Sequence, residues 1–198
     1  MRLGIFGGAF DPVHLGHLLL AEQCREQCAL DEVWFVPTRR PAHKSVVLTD
    51  PKKRLDMLHF ATAGIPQFVV SRIELDRDDV SWTVDTLRRL RAGRPNDELF
   101  LLIGADSLRD FLTWREPEEI ARLATLVAVN RSDMAIEELT DGLPESIRTR
   151  VKAVSMPSVA LSASDIRERV ATGRSIRFMV PRAVEEYIRQ HGLYSARM

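Results

Sequence analysis

The sequence predicts a doubly wound α/β domain, in which helices cover both faces of a parallel sheet and a helical tail follows. Three observations predict it. Short apolar runs alternate with amphipathic segments, and strands spaced by helices imply crossover connections and a parallel sheet. No internal repeat or low-complexity linker divides the 198 residues, so a single domain over 1–198 is expected. Beyond Ser162 the pattern is helical, which makes residues 162–198 the helical C-terminal portion.

The elements follow in order. Leu3 to Phe6 reads as a short buried strand, and Leu15 to Leu30 as a helix. Val33 to Val36 is a second strand, stopped by Pro37, and Arg39 to Thr49 is a polar loop. Asp50-Pro51 starts a helix: Asp caps it, and the missing proline N–H is harmless at the first helical position. Phe68 to Val70 is strand-like, and Val84 to Arg91 is a helix that stops before Gly93 and Pro95. Leu99 to Ile103 is a strongly apolar strand ending at Gly104. Glu118 to Leu123 is helical, Leu126 to Val129 and Val151 to Val154 are strands, and Ser164 to Thr172 and Pro181 to His191 are helices. A Rossmann-like sheet of this kind binds ligands beyond the carboxyl ends of its strands, where the strand order switches. The residues that follow each strand are therefore the candidates.

Composition narrows the classes of partner. Hydrophobic residues make up 45% and charged residues 28%, enough to bury a core and stay soluble. Lys plus Arg equals Asp plus Glu at 28 each, so no global positive field is available to hold a nucleic acid. The N-terminal apolar stretch is too short for a signal peptide, and no run approaches the roughly 18 apolar residues of a membrane span. Cys24 and Cys28 lie four apart in a helical pattern, where a disulfide is geometrically poor; small, partly buried side chains are expected. A cytoplasmic protein with small-molecule substrates, monomeric or a small homo-oligomer, is the expectation.

The first strand runs into Gly7-Gly8-Ala9-Phe10-Asp11-Pro12-Val13-His14-Leu15-Gly16-His17. Two glycines permit a tight turn and close approach of a ligand, and N–H groups at the following helix start favour phosphate. His14 and His17 share one face, where imidazoles can stabilise charge developing on oxygens. An ordinary strand-to-helix turn with histidine caps is the alternative. Zinc held by these histidines and the two cysteines meets no standard ligand spacing. Near the other end, Ala160-Leu161-Ser162-Ala163-Ser164-Asp165-Ile166-Arg167 places Ser162 or Ser164 at a helix N-cap, with Arg167 one turn in and able to reach phosphate oxygens.

The opening segment resembles the His-x-Gly-His signature of the nucleotidylyltransferase superfamily, and the second segment resembles its Ile-Ser-Ser-Thr-x-Ile-Arg motif. Here Ala163 replaces the second Ser and Ser164 the Thr. The resemblance implies an ATP site formed by Gly7, Gly8, Ala9, Phe10, His14, His17, Gly104, Asp106, Ser162, Ile166 and Arg167. Three further segments are similar to the bacterial nicotinate-nucleotide adenylyltransferases: Pro41-Ala42-His43-Lys44, Ser81-Trp82-Thr83-Val84-Asp85-Thr86-Leu87, and Gly104-Ala105-Asp106-Ser107-Leu108 followed by Trp114. Ala42 stands where that family has a second Pro, and Trp82 where it has Tyr. The likeness implies AMP transfer from ATP to nicotinate mononucleotide in NAD biosynthesis, with Mg²⁺ accompanying ATP. Lys44, Trp82, Thr83, Trp114 and Arg115 are the implied acceptor-binding residues; His14, His17, Lys44 and Arg167 are the implied catalytic set, with no protein metal ligand. Acceptors of the amide or phosphopantetheine type, and a non-catalytic nucleotide sensor, are the alternatives.

Overall fold

The computed structural model describes residues 1–40, 48–130, 138 and 140–195. Six strands form one sheet: β1 (Arg2–Gly8), β2 (Glu32–Pro37), β3 (Phe68–Val70), β4 (Glu98–Gly104), β5 (Thr125–Asn130) and β6 (Val151–Ser155). All neighbours pair in parallel, in the order β3-β2-β1-β4-β5-β6. This is the doubly wound order, with its switch between β1 and β4.

Side chains alternate across the pleat and sort the sheet into two cores. Leu3 and Ile5 of β1, Leu99, Leu101 and Ile103 of β4, and Leu126 and Ala128 of β5 face one core. Phe6, Phe100, Leu102, Val127 and Val129 face the other. Helices α3 (Thr83–Gly93), α5 (Pro117–Leu123) and α6 (Glu145–Arg148) cover the first face through Val84, Leu87, Leu90, Ile120 and Ile147. Helices α1 (Leu15–Gln27), α2 (Pro51–Thr62), α7 (Ala163–Ala171) and α8 (Arg182–Gln190) cover the second through Leu20, Cys24, Met57, Leu58, Ile166 and Ile188. A short helix α4 (Ala105–Arg109) and a 3₁₀ turn (Phe111–Thr113) follow β4. No helix among the described residues is long and apolar enough to cross a membrane.

The six expected strands and six expected helices are all present, with boundaries displaced by a few residues at most. Helix α1 stops at Gln27 rather than Leu30, because Ala29 takes a left-handed φ of 47° and Leu30 turns inward to the core. Asp50 caps α2 as its sequence predicts, accepting the Lys52 N–H at 2.9 Å. Cys24 and Cys28 are free and fully inside the core, and burial pushes the Cys24 thiol well above its ordinary range.

The two ladders of β1 have different lengths. Pairing with β2 continues to Gly8–Pro37, but pairing with β4 ends at Ile5–Leu101. Beyond Ile5 the two strands separate, and a crevice opens at the switch point. On the opposite end of β1, Gly4 is tightly enclosed: a Cβ there would lie 2.8 Å from Leu30 Cδ1 and 3.2 Å from Val33 Cγ2. Gly4→Val is expected to lower stability by about 1–3 kcal/mol, as overpacking does. Gly4→Ala should lose less, since the tip of Leu30 can swing aside; urea denaturation of the three proteins measures this.

Candidate active site

The segment leaving β1 is held from beneath. Phe10 adopts φ 48° and buries its ring among Phe6, His17 and Phe35, with centroids 5.3, 5.1 and 5.7 Å away. Its ring also fills the space beside Gly8, where an added Cβ would meet Phe10 Cζ at 3.1 Å. An added Cβ at Gly7 would meet nothing within 4 Å. The loop thus turns its backbone outward over an aromatic base, and only the backbone of Phe10 is placed to meet a ligand.

His14 is the N-cap of α1 and is almost fully buried, while His17 is half-buried. Their rings stack with centroids 3.6 Å apart. The His14 backbone N–H donates to His17 Nδ1 at 3.2 Å. An Nδ1 that accepts must be unprotonated, so the neutral His17 ring carries its proton on Nε2 and presents a donor there. The same hydrogen bond thus fixes the ring and selects its tautomer. Gly16 permits this arrangement, because a Cβ would crowd His14 Nδ1 at 3.1 Å and Cε1 at 3.2 Å.

The second motif packs directly on the first. Ser162 caps α7 by accepting the Asp165 N–H at 3.1 Å, and its hydroxyl lies 3.1 Å from that of Ser164. Arg167 donates from Nη1 to the Asp11 carbonyl at 2.7 Å, which brings the arginine to the loop. Ile166 is different: its side chain is fully buried, and its N–H is used on the Ser162 carbonyl. Gly104 ends β4 at the crevice and caps α4. Asp106 projects into solvent with Arg109 3.5 Å away.

Between the diverging strands lies a cavity of about 190 Å³. Gly7 and Gly8 form part of its wall, with Thr38, Glu74, Ser81, Thr83, Thr86 and Trp114 around it. Trp114 packs on Phe111 at 5.4 Å and keeps part of its surface open. Helix α3 starts at this cavity, and its N-cap, Trp82, makes no side-chain capping bond. The first-turn N–H groups of a helix favour an anion. Trp82 packs at the helix entry with the Arg115 guanidinium 5.4 Å from its ring. Arg115 also lies 3.8 Å from Asp85 and 3.7 Å from Glu116.

Glu74 is the unexpected member. It is 6% exposed, accepts the Thr86 hydroxyl at 2.8 Å on Oε1, and has no hydrogen-bond partner on Oε2 among the described residues. Burial pushes its carboxyl above the usual carboxylate range, opposed by hydrogen bonds from Thr86 and Ser81 and by the charge of Arg77. Thr38 and Thr86 also line the cavity, where the sequence gives them no individual role. A threonine after a strand and an acid between Ile73 and Leu75 are weak signals, because the fold alone brings them together. Lys44 and Ala42 lie outside the described residues.

Residues 5–169 match the cytidylyltransferase-like family model, which defines the chain as a nucleotidyltransferase by class. Among relatives, a probable nicotinate-nucleotide adenylyltransferase of Thermus thermophilus is 50% identical over 98% of this chain and 100% of its own length. That of Dictyoglomus thermophilum is 42% identical, with the same coverage of 98% and 100%. The chain belongs to the nicotinate-nucleotide adenylyltransferase family. Its fold is shared with the Plasmodium falciparum nicotinic acid mononucleotide adenylyltransferase complexed with NaAD, at a TM-score of 0.79 and 20% identity, covering 98% of this chain and 97% of that one.

Two outcomes follow from this geometry. Gly16→Ala must displace the His14 ring, and turnover is expected to fall by about tenfold or more, since misplacement of around 1 Å can cost a hundredfold; steady-state kinetics checks it. An acid held neutral by folding stabilises the protein below the ordinary carboxylate range, and that stability is lost as pH rises through the raised value. Glu74→Gln removes the titration. Its stability relative to wild type is therefore expected to increase as pH rises from about 4, which paired denaturation curves across pH would show.

Proposed function

We propose that the chain transfers AMP from ATP to nicotinate mononucleotide, giving deamido-NAD and pyrophosphate in the synthesis of NAD. One observation carries this reading: the cavity at the switch point shares Gly7 and Gly8 with the phosphate loop and extends to Trp114 and the start of α3. A pyridine ring fits against the flat face of Trp114. Its carboxylate fits the first-turn N–H groups at Thr83, with the N–H of Arg115 as a second donor. Burial pushes the Glu74 carboxyl in the same pocket above the usual carboxylate range. Arg115 adds a nearby cation above Trp82.

ATP lies on the other side of the turn. The backbone of Gly7 to Phe10, His14, His17, Ser162 and Arg167 face its phosphates, and Gly104 and Asp106 its nucleoside. Lys44 supplies a further cation on this reading. Ile166 supports the helix from within the core rather than touching ATP.

The acceptor phosphate has a second pKa of about 6 and is largely dianionic at neutral pH. It needs no general base. A phosphate oxygen attacks the α-phosphorus in line; the new O–Pα bond forms as the bond to the bridging oxygen breaks, and pyrophosphate leaves with that electron pair. His17 Nε2–H, His14 and Arg167 hold the oxygens that gain charge. On this reading Mg²⁺ would be held by the triphosphate rather than by the protein, and would supply charge neutralisation to the leaving pyrophosphate.

The decisive assay offers ATP and Mg²⁺ with either nicotinate or nicotinamide mononucleotide and follows pyrophosphate. Release with the acid, faster than with the amide, is expected; faster turnover of the amide would reassign the acceptor, and silence with both would sink the reading. His17→Ala should lower kcat by about a hundredfold or more, the loss seen when a single oxyanion donor is removed. A near-normal rate would strip His17 of that role.

A further inference from the structure

The transfer chemistry uses no part of Asp11, Arg54 or Tyr194, yet these residues meet at the loop that carries it. Asp11 is a charged group only 4% exposed. Its Oδ1 accepts the Tyr194 hydroxyl at 2.5 Å, and its Oδ2 accepts the Thr49 N–H at 2.9 Å. Its carbonyl accepts Arg167 at 2.7 Å. Arg54 is fully buried and donates to the Ala9 carbonyl at 2.8 Å and the Thr49 carbonyl at 2.9 Å. Ala9 to Asp11 is thereby fastened to α2, to the residue preceding its cap, to α7 and to the C-terminal segment.

The cluster differs from ordinary core packing in joining a buried carboxylate to a hydroxyl rather than apolar groups alone. Tyr194 and Phe10 both hold left-handed backbones, with φ of 62° and 48°. Further, Leu193 and α8 already fasten the tail through apolar contacts, so the fold does not require a hydroxyl at the next position. A phenylalanine would fill the same space but leave Asp11 Oδ1 without its donor.

We propose that Tyr194 is a positioning residue for adenylyl transfer: its hydroxyl, given to Asp11, ties the C-terminal segment to the Ala9–His14 loop and so sets the place of the loop backbone and of Arg167 at the triphosphate. The proposal rests on the reading that ATP occupies this loop. Burial and the Asp11 carboxylate push the Tyr194 hydroxyl above its ordinary range, so it remains a donor at every working pH. With the hydroxyl removed, a buried carboxylate oxygen loses its partner and must shift, carrying with it the carbonyl that holds Arg167.

The test compares wild type with Tyr194→Phe in the full chain. ATP affinity is measured by calorimetry without acceptor, KM for each substrate and kcat by pyrophosphate release, and the melting midpoint by calorimetry. Tyr194→Phe is expected to weaken ATP binding or kcat/KM for ATP by about tenfold, with KM for the acceptor within twofold and the midpoint within a few degrees of wild type. Unchanged ATP affinity and kinetics would overturn the proposal. So would equal losses for both substrates accompanied by a large fall in the midpoint, since that is a structural role. If Tyr194→Phe does not fold, Asp11→Asn carries the same comparison, because it keeps an oxygen for one of the two donors. Wild type that binds ATP but transfers to neither pyridine nucleotide would refute the acceptor assignment alone; the binding comparison would still decide on Tyr194.

Discussion

β1 is held by β2 as far as Gly8 but by β4 only as far as Ile5. Successive crossovers that build outward in opposite directions leave the two central strands without a connection between them at their carboxyl ends. Where the ladder stops, backbone groups on both facing edges have no strand partner on that side, and any occupant of the gap must satisfy them. Phe6 to Gly8 on one bank and Leu102 to Gly104 on the other therefore face the gap without a β1–β4 ladder. The character of the gap is set by what the loops bring to the edges.

The loops bring two different environments. On one bank, a strained aromatic turn carries two stacked imidazoles and faces an arginine from a distant helix. On the other, a half-exposed indole and a helix start surround a carboxyl that burial keeps toward its neutral form. The His14 N–H holds the His17 ring through its Nδ1, and the His14 ring stacks on it.

Much of the frame was legible from the residues. Short apolar runs located all six strands, and Asp50-Pro51 and Ser162 marked their helix starts through capping chemistry. The strand-to-helix turn at Gly7–Gly8 and the Ser162 cap were also legible, since each has a local physical purpose. Long-range features were not. Nothing near Leu30 signals that Ala29 turns left-handed, and helices of four or five residues such as α4 and α6 show too few turns for a period to emerge. Glu74 looks like a surface acid until Thr86 and Ser81 close around it. The pairing of Asp11 with Tyr194 spans 183 positions, and no local pattern encodes it.

That span has a consequence for biosynthesis. Chains leave the ribosome from the N-terminus at roughly 5–20 residues per second. The glycine turn and both histidines emerge first, but Arg167 follows 156 residues after Asp11, and Tyr194 later still. A nascent chain can pair β1 with β2 and β4 while the Ala9–Asp11 loop still lacks two of its four fastenings. The loop is fully fastened only once Tyr194 has emerged, and fragments ending before α7 carry the motif without its arginine.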